Sequence, residues 1–386
     1  MDSEFLIIGG GVAGLTAAIA LQSINRDFRL FEQSQLLHGI GAGFGLAANA
    51  MQALDILGLK TEIEELGYYI DNYNIRSERG DILFSPDTKR IARQYSQKNF
   101  AIHRADLHAH LLSKIEPAHV VLGKRAQKLE QKDNLVRVFF DDGSTYTAKY
   151  LLIADGVKSR LRQQLVPSSI PRYAGYTCWR ATIDNTDIQL DTGFETWGRA
   201  GRFGVTPLVD NRIYWYACVN GPANSPLFKN TTAGDLYHRF EHYHDPIPRI
   251  LEATENKNLI WSDIIDIKPL QHLAYDNILI IGDAGHATTP NMGQGACQAI
   301  EDVAVLIDEL QQNKTMVEAF RSFEKRRLER TRYITETSRQ IGQVAQWENP
   351  VLITLRNTLA KGLPNRIKQH SLSKLLSKDF MQINRS

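Results

Sequence analysis

The feature that most constrains this chain lies at its start, where Phe5-Leu-Ile-Ile runs straight into Gly9-Gly-Gly11-Val-Ala-Gly14 and then an alanine-rich segment, Leu15 to Leu21. That order predicts a strand, a tight turn and a helix with nothing between them. In the spacing Gly9-x-Gly11-x-x-Gly14 the first glycine allows a sharp turn, the second leaves room for a pyrophosphate against the backbone, and the third lets helix pack closely on strand. Free N–H groups at the helix start, with the helix dipole behind them, then form an anion site. A second apolar run, Phe28-Arg-Leu-Phe31, ends in Glu32, at the distance expected of a carboxylate that takes both ribose hydroxyls. An acid there disfavours a 2′-phosphate, so the expected ligand is NAD or FAD. This stretch alone does not choose between them.

A chain of 386 residues has room for two domains and a large core. Lys plus Arg 45 against Asp plus Glu 43 leaves a net charge of +2, too little to recruit nucleic acid through an overall field. The three cysteines, Cys178, Cys218 and Cys297, lie far apart, which argues against a zinc site or disulfide framework and suits a reducing compartment. No metal is expected. The first strand leaves no room for a signal segment, and no apolar run approaches the roughly eighteen residues of a spanning helix. The expectation is a cytoplasmic protein without stable membrane insertion.

Further along, Gly39-Ile-Gly41-Ala-Gly43-Phe-Gly45 is either a surface loop or backbone held close to a flat ligand. Tyr73 to Phe84 reads as two strands joined at Gly80, leaving the nucleotide fold for another sheet. Arg104 opens a helix; a solvated charge is the ordinary reading, a phosphate or ring contact the other. Val136 to Ile153 reads as a hairpin and a strand ending at Ala154-Asp155-Gly156, by itself an ordinary turn. From Ile170 to Leu273 helical periodicity fades and short aromatic or β-branched runs predict an inserted, mostly antiparallel sheet. In the run from Arg212, alternation puts Arg212, Tyr214 and Tyr216 on one face and Ile213, Trp215 and Ala217 on the other, so the tyrosines line a pocket or belong to the core.

Then Asn277-Ile-Leu-Ile-Ile-Gly282-Asp283 leads through Pro290 to Gly293-Gln294-Gly295, a buried strand ending in a carboxylate and followed by a glycine-rich helix start. Such a start stabilises negative charge on a neighbouring ring. Met316 to Val344 reads as one helix whose basic run, Arg321, Lys325, Arg326, Arg327 and Arg330, is expected to be a solvated face. The tail from Leu352 to Phe380, basic and leucine-rich, reads as a packed terminal helix, with a membrane-surface helix as the alternative.

With these three separated motifs, nearly the whole chain resembles the single-component FAD-dependent aromatic hydroxylases, the class A flavoprotein monooxygenases of the para-hydroxybenzoate hydroxylase-like fold, and within them the urate and salicylate hydroxylase and zeaxanthin epoxidase-like branch. The resemblance implies an α/β fold: a Rossmann-like FAD-binding domain in three pieces (1–72, 100–170, 274–345), a substrate-binding β-sheet domain (73–99 and 171–273) and a C-terminal helical segment (346–386). It implies an adenosine site at Gly9, Gly11, Val12, Ala13, Gly14, Glu32 and Gln33. Gly43, Arg104 and Asp155 are implied on the flavin or pyrophosphate side, with Asp283 on the ribityl chain. Pro290, Gly293, Gln294, Gly295 and Ala296 are implied against the flavin ring. Arg202, Pro207 and Tyr214 share the spacing of urate hydroxylase's substrate-side arginine, proline and tyrosine, so Arg202, Tyr214 and Tyr216 are the substrate-orienting candidates. Ile153 stands where the family has glycine before its Ala-Asp-Gly step, and Cys297 where asparagine is frequent.

The implied activity is an NAD(P)H-consuming monooxygenase that hydroxylates or epoxidises a small aromatic or conjugated substrate through a flavin C4a-hydroperoxide. FAD is held tightly, NAD(P)H docks transiently, O₂ is consumed, and the protein is a monomer or homodimer. Two other readings stay open: an FAD dehydrogenase or reductase on the same fold, and a non-catalytic, redox-responsive flavin protein.

Overall fold

Phe5, Leu6 and Ile7 are wholly buried in their strand, which must therefore be covered on both faces, as in the middle of a parallel sheet. The computed structural model describes residues 1–37, 43–70, 73–85, 93, 100–312, 315–362 and 374–381. In order the chain begins β1 (Ser3–Ile8), α1 (Val12–Ser23), β2 (Phe28–Phe31), β3 (Gly43–Leu46), α2 (Ala48–Ile56), α3 (Lys60–Glu64), β4 (Gly67–Tyr69), β5 (Tyr73–Ser77), β6 (Ile82–Phe84), β7 (Phe100–His103) and α4 (Arg104–Ser113). It continues β8 (Val120–Val121), β9 (Ala126–Lys132), β10 (Leu135–Phe140), β11 (Thr145–Ile153), α5 (Arg160–Leu165), β12 (Arg172–Asp184), β13 (Gly193–Gly198), β14 (Gly201–Leu208) and β15 (Arg212–Asn220). It closes with α6 (Pro226–Lys229), α7 (Ala233–Phe240), α8 (Ile247–Glu252), β16 (Ile260–Asp266), β17 (Ala274–Tyr275), β18 (Ile278–Ile280), α9 (Asp283–His286), α10 (Gly295–Leu310), α11 (Met316–Ala345) and α12 (Pro350–Gly362).

The first sheet runs β17-β18-β11-β1-β2-β8, parallel from β18 to β8, with the β9–β10 hairpin on β11. Ile8 lies level with Phe31 and Ile153, and Ile153 with Ile280, so these four strands stop on one line. Gly9, Glu32, Asp155 and Asp283 all leave the sheet from that line, although they are far apart in sequence. The second sheet runs β16-β12-β15-β14-β13-β5-β6 and is antiparallel except between β13 and β5. One face, with Trp179, Phe194, Phe203, Ile213 and Trp215, forms a second apolar core against α7 and α8. Those helices lie where sequence periodicity faded; the capping box of Thr232 and Asp235 starts α7.

Two expectations need correction. The basic run of α11 is not a solvated face: Arg321 and Lys325 are exposed, but Arg326, Arg327 and Arg330 are buried. The reason lies in α10, whose Glu301 and Asp302 are also buried and take those charges: Arg327 bonds Glu301 at 2.6 Å and Asp302 at 2.7 Å, and Arg330 grips both oxygens of Glu301. Nor is α12 packed by its apolar side chains. Val351, Leu352, Leu355 and Leu359 face solvent, whereas Arg356 is buried and donates to the Ala345 carbonyl. Beyond it, Leu375, Leu376 and Phe380 are buried, and 363–373 lie outside the described residues.

Candidate active site

At the glycine turn the backbone is crowded inward and open outward. Gly9 has a left-handed φ of +110°, and a Cβ there would stand 2.3 Å from the Ala154 oxygen; one on Gly14 would stand 1.8 Å from the Gly9 oxygen. Above Gly11 there is nothing within 4 Å. Helix α1 starts without a side-chain cap and without an acid in its first turn, so its N–H groups are left for an incoming anion. Ala13 is buried, Val12 partly so, and Gln33 is exposed. Glu32 Oε2 accepts from Gly10 N at 2.7 Å and Oε1 from Ser34 N at 2.9 Å, which fixes the carboxylate beside the turn. Sequence reasoning missed His108, whose Nε2–H donates to the Gly10 carbonyl at 2.5 Å. Burial lowers its pKa and keeps it neutral, with Nδ1 buried and unpartnered. Its position one helical turn beyond Arg104 was the available signal.

The other two motifs close on this turn. Gly282, at φ +58°, lies so near α1 that a Cβ would stand 2.6 Å from the Ala13 Cβ, so the two glycine motifs touch. Its N–H donates to Asp302 Oδ2 at 2.8 Å, and His286 Nε2 holds the same oxygen at 2.6 Å. Asp283 is open to the cleft, yet desolvation by the surrounding protein raises its carboxyl pKa, opposed by His286 and Arg104. Arg104 is itself exposed, near enough for its charge to act on Asp283. Asp155 Oδ1 is buried without a partner, and burial lifts its pKa to about 6.

Pro290 and Gly293 are exposed; Gly293 is left-handed at φ +61° with open space beside it. Gln294 turns its side chain to Asn49 and Gln298, each at 2.9 Å, and does not cap α10. The partly open Gly295 and Ala296 therefore begin a sixteen-residue helix whose first turn carries no acid. Cys297 is fully buried, and its sulfur accepts from Ala47 N at 3.4 Å, tying α10 to the start of α2. Residues 38–42 of the second glycine-rich stretch lie outside the described residues, but Gly43 is described and rests against the Tyr214 ring, where a Cβ would stand 2.7 Å from it.

Above this floor lies the second sheet's other face, which is polar although largely buried. Tyr216 lies across Gly204, and its hydroxyl meets that of Tyr73 at 3.2 Å. Burial pushes the Tyr214 and Tyr216 hydroxyls up, so both are neutral hydrogen-bonding groups. Arg202 is buried and committed: Nη1 to Glu195 at 3.0 Å, Nε to Gln346 at 2.9 Å, with the guanidinium over the Tyr176 ring. Tyr176 donates to Asn291 Oδ1 at 3.1 Å, joining this face to the Pro290 turn. Among the described residues no three His, Cys, Asp or Glu side chains are grouped to hold a metal.

The residues suit FAD: uncapped helix starts at both ends of the cleft, a backbone turn with open space above Gly11, an orphaned buried carboxyl oxygen on Asp155 and an open carboxylate on Asp283. Comparison with known proteins agrees. The family model described as FAD binding domain matches residues 2–338. Aurachin C monooxygenase/isomerase of Stigmatella aurantiaca is 33% identical, covering 92% of this chain and 93% of its own. The 3-amino-4-hydroxybenzoate 2-monooxygenase of Streptomyces cremeus is 31% identical over 89% of this chain and 87% of its own. The solved structure of Klebsiella pneumoniae HpxO complexed with FAD and uric acid superposes with a TM-score of 0.89 at 26% identity, covering 97% of both chains.

Proposed function

The chain belongs to the FAD-binding-domain family of aromatic flavoprotein monooxygenases, and from that premise we propose that it consumes NAD(P)H and O₂ to hydroxylate or epoxidise a small aromatic or conjugated ring. The observation that carries this reading is the convergence of three motifs, Gly9–Gly14, Asp155 and Gly282–Gly295, on one line of strand ends beneath a polar, buried sheet face. The oxygen chemistry is the cofactor's: reduction by NAD(P)H and transfer of one atom of dioxygen to the ring. The protein's own contribution is to bind, orient and exclude water.

In this reading the α1 N–H groups and Gly11 hold the pyrophosphate, while Glu32 holds the adenosine ribose. Asp283 takes ribityl hydroxyls, and Arg104 stands on the pyrophosphate and flavin side. The start of α10, from Gly293 to Ala296, presents N–H groups to negative charge on the flavin's pyrimidine edge, a preorganised arrangement that needs no reorientation when the charge appears. Burial raises the Asp155 pKa to about 6, so only below that pH is it largely neutral and without repulsion toward the pyrophosphate. Tyr214 and Tyr216 orient the ring, and Arg202, held by Glu195, is a fixed wall. The substrates named for the relatives, aurachin C and 3-amino-4-hydroxybenzoate, and the uric acid bound in the solved structure are all rings bearing oxygen substituents, which supports a substrate of that class. The three described cysteines are free and buried, consistent with a reducing cell interior. No helix among the described residues is long and apolar enough to cross a membrane.

The test is cofactor retention and stimulated turnover. The purified protein should carry stoichiometric FAD, and Asp283→Ala should be isolated largely without it; full, tight occupancy in that variant refutes the assigned role. NAD(P)H oxidation should rise with one or more of a panel of phenols, purines and quinolones, and a flat response across the panel sinks the monooxygenase reading.

A further inference from the structure

Of the guanidinium groups on the polar face of the second sheet, Arg202 and Arg212 have carboxylates and Arg180 has none among the described residues. Arg202 is neutralised by Glu195 at 3.0 Å. Arg180, on β12 opposite Tyr216, donates Nη2 to Ser262 Oγ at 3.0 Å, and that hydroxyl is neutral. Its Nε is buried without a partner, and among the described residues no carboxylate stands within ion-pair distance of it. Two residues along the same face, Thr182 Oγ1 is also buried and unpartnered, directly opposite Tyr214. Two unmet donors thus flank the tyrosine whose ring rests against Gly43 at the cofactor cleft.

An uncompensated buried cation is strongly unfavourable, and a buried donor without an acceptor is unfavourable to a smaller extent. Such a cost persists where a ligand supplies the missing partner. As a whole residue Arg180 is only partly buried, while its Nε is fully covered. Resting on the monooxygenase reading, we propose that Arg180, with Thr182 beside it, binds an oxyanion carried by the aromatic substrate, a ring oxygen or ring carboxylate, and so fixes which edge of the ring faces the flavin. A guanidinium at a ring oxygen also favours its deprotonated form, which feeds electron density into the ring that accepts the oxygen atom.

One group competes for this role. The Cys178 thiol lies beside Arg180, and its pKa is lowered, chiefly by a hydrogen bond with Cys218 and then by the Arg180 charge. A thiolate there would be the guanidinium's partner without any substrate, so the experiment separates the two.

The FAD-loaded enzyme is titrated, following the flavin absorbance, with 4-hydroxyquinoline N-oxide, urate and 3-amino-4-hydroxybenzoate. Quinoline N-oxide and aniline serve as counterparts lacking every acidic group. At least one acidic ring should bind, and more tightly than its counterpart. Arg180→Gln should weaken that binding by at least about tenfold, the size of one hydrogen bond to a charged group, with Arg180→Lys retaining part of it. In turnover KM should rise more than kcat falls, and Cys178→Ser should bind like the parent. Loss of affinity for 4-hydroxyquinoline N-oxide or urate in Arg180→Gln identifies a ring oxygen, and loss for 3-amino-4-hydroxybenzoate alone identifies a carboxylate.

Undiminished binding in Arg180→Gln overturns the proposal. So does equal weakening in Cys178→Ser, equal binding of the acid-free counterparts, or failure of all three acidic rings to bind. Retained FAD and an unchanged unfolding temperature show that Arg180→Gln is folded; should it fail there, Arg180→Lys carries the same comparison. Oxygenation that persists in Arg180→Gln with unchanged KM removes only this inference, whereas no oxygenated product from the parent enzyme removes the monooxygenase reading itself.

Discussion

Asp155 ends its strand with a carboxyl oxygen that is buried and unpartnered, and burial lifts its pKa from 3.8 to about 6. Between those values the folded chain keeps a proton that the unfolded chain has released. Its contribution to stability is therefore intact below the unfolded pKa and is lost as pH rises through about 6, a difference of about 3 kcal/mol. Asp155→Asn keeps the shape and removes the titration. In urea unfolding of the FAD-free protein, the variant should gain up to about 3 kcal/mol on the parent between about pH 4 and about pH 7. Parallel stability curves would count against the burial argument. At this scale the sequence showed which residue types stand at the strand ends, because glycine spacing is a backbone requirement that no other side chain meets. It did not show partners. Arg202 and Arg180 are both arginines in β-strands, and only the register that sets Glu195 near one of them distinguishes a neutralised charge from an uncompensated one.

Helices α10 and α11 show what periodicity leaves out. A row of arginines interleaved with glutamates reads as a solvated face unless the facing helix is known to offer buried carboxylates. Here Glu301 takes Arg327, Arg330 and the Asn49 amide, while Asp302 takes Arg327, His286 and the Gly282 N–H. The network ties the base of α10 to the backbone of Gly282, next to the carboxylate assigned to the cofactor. Removing one partner leaves the others charged and dry, so Arg327→Met should cost about 3–5 kcal/mol in chemical denaturation and lower FAD retention. Arg321→Ala, on the exposed side of the same helix, should change stability by no more than about 0.5 kcal/mol. Equal effects of the two substitutions would mean that burial does not set the strength of this network. The parallel strands and the hairpin at Gly80 were legible because short-range pattern determines them, whereas α7 and α8 were not, since their apolar stripe is fixed by the sheet face they cover.

Across the whole molecule, two sheets meet so that one supplies strand ends and helix starts for a dinucleotide and the other supplies a face of tyrosines and arginines. The fold and the cofactor were readable because three motifs in fixed order constrain backbone geometry over nearly the full chain. The substrate was not, because specificity depends on which buried polar groups remain unsatisfied once strands are in register. The central claim, that the molecule inserts an atom of dioxygen into an aromatic ring, is tested most directly by isotope labelling. The FAD-loaded protein turns over with NAD(P)H and the ring that best stimulates its oxidation, under ¹⁸O₂ in ordinary water. Mass spectrometry should find one labelled oxygen per product molecule. NAD(P)H consumption with an unmodified ring, or a new oxygen drawn from water, would contradict it.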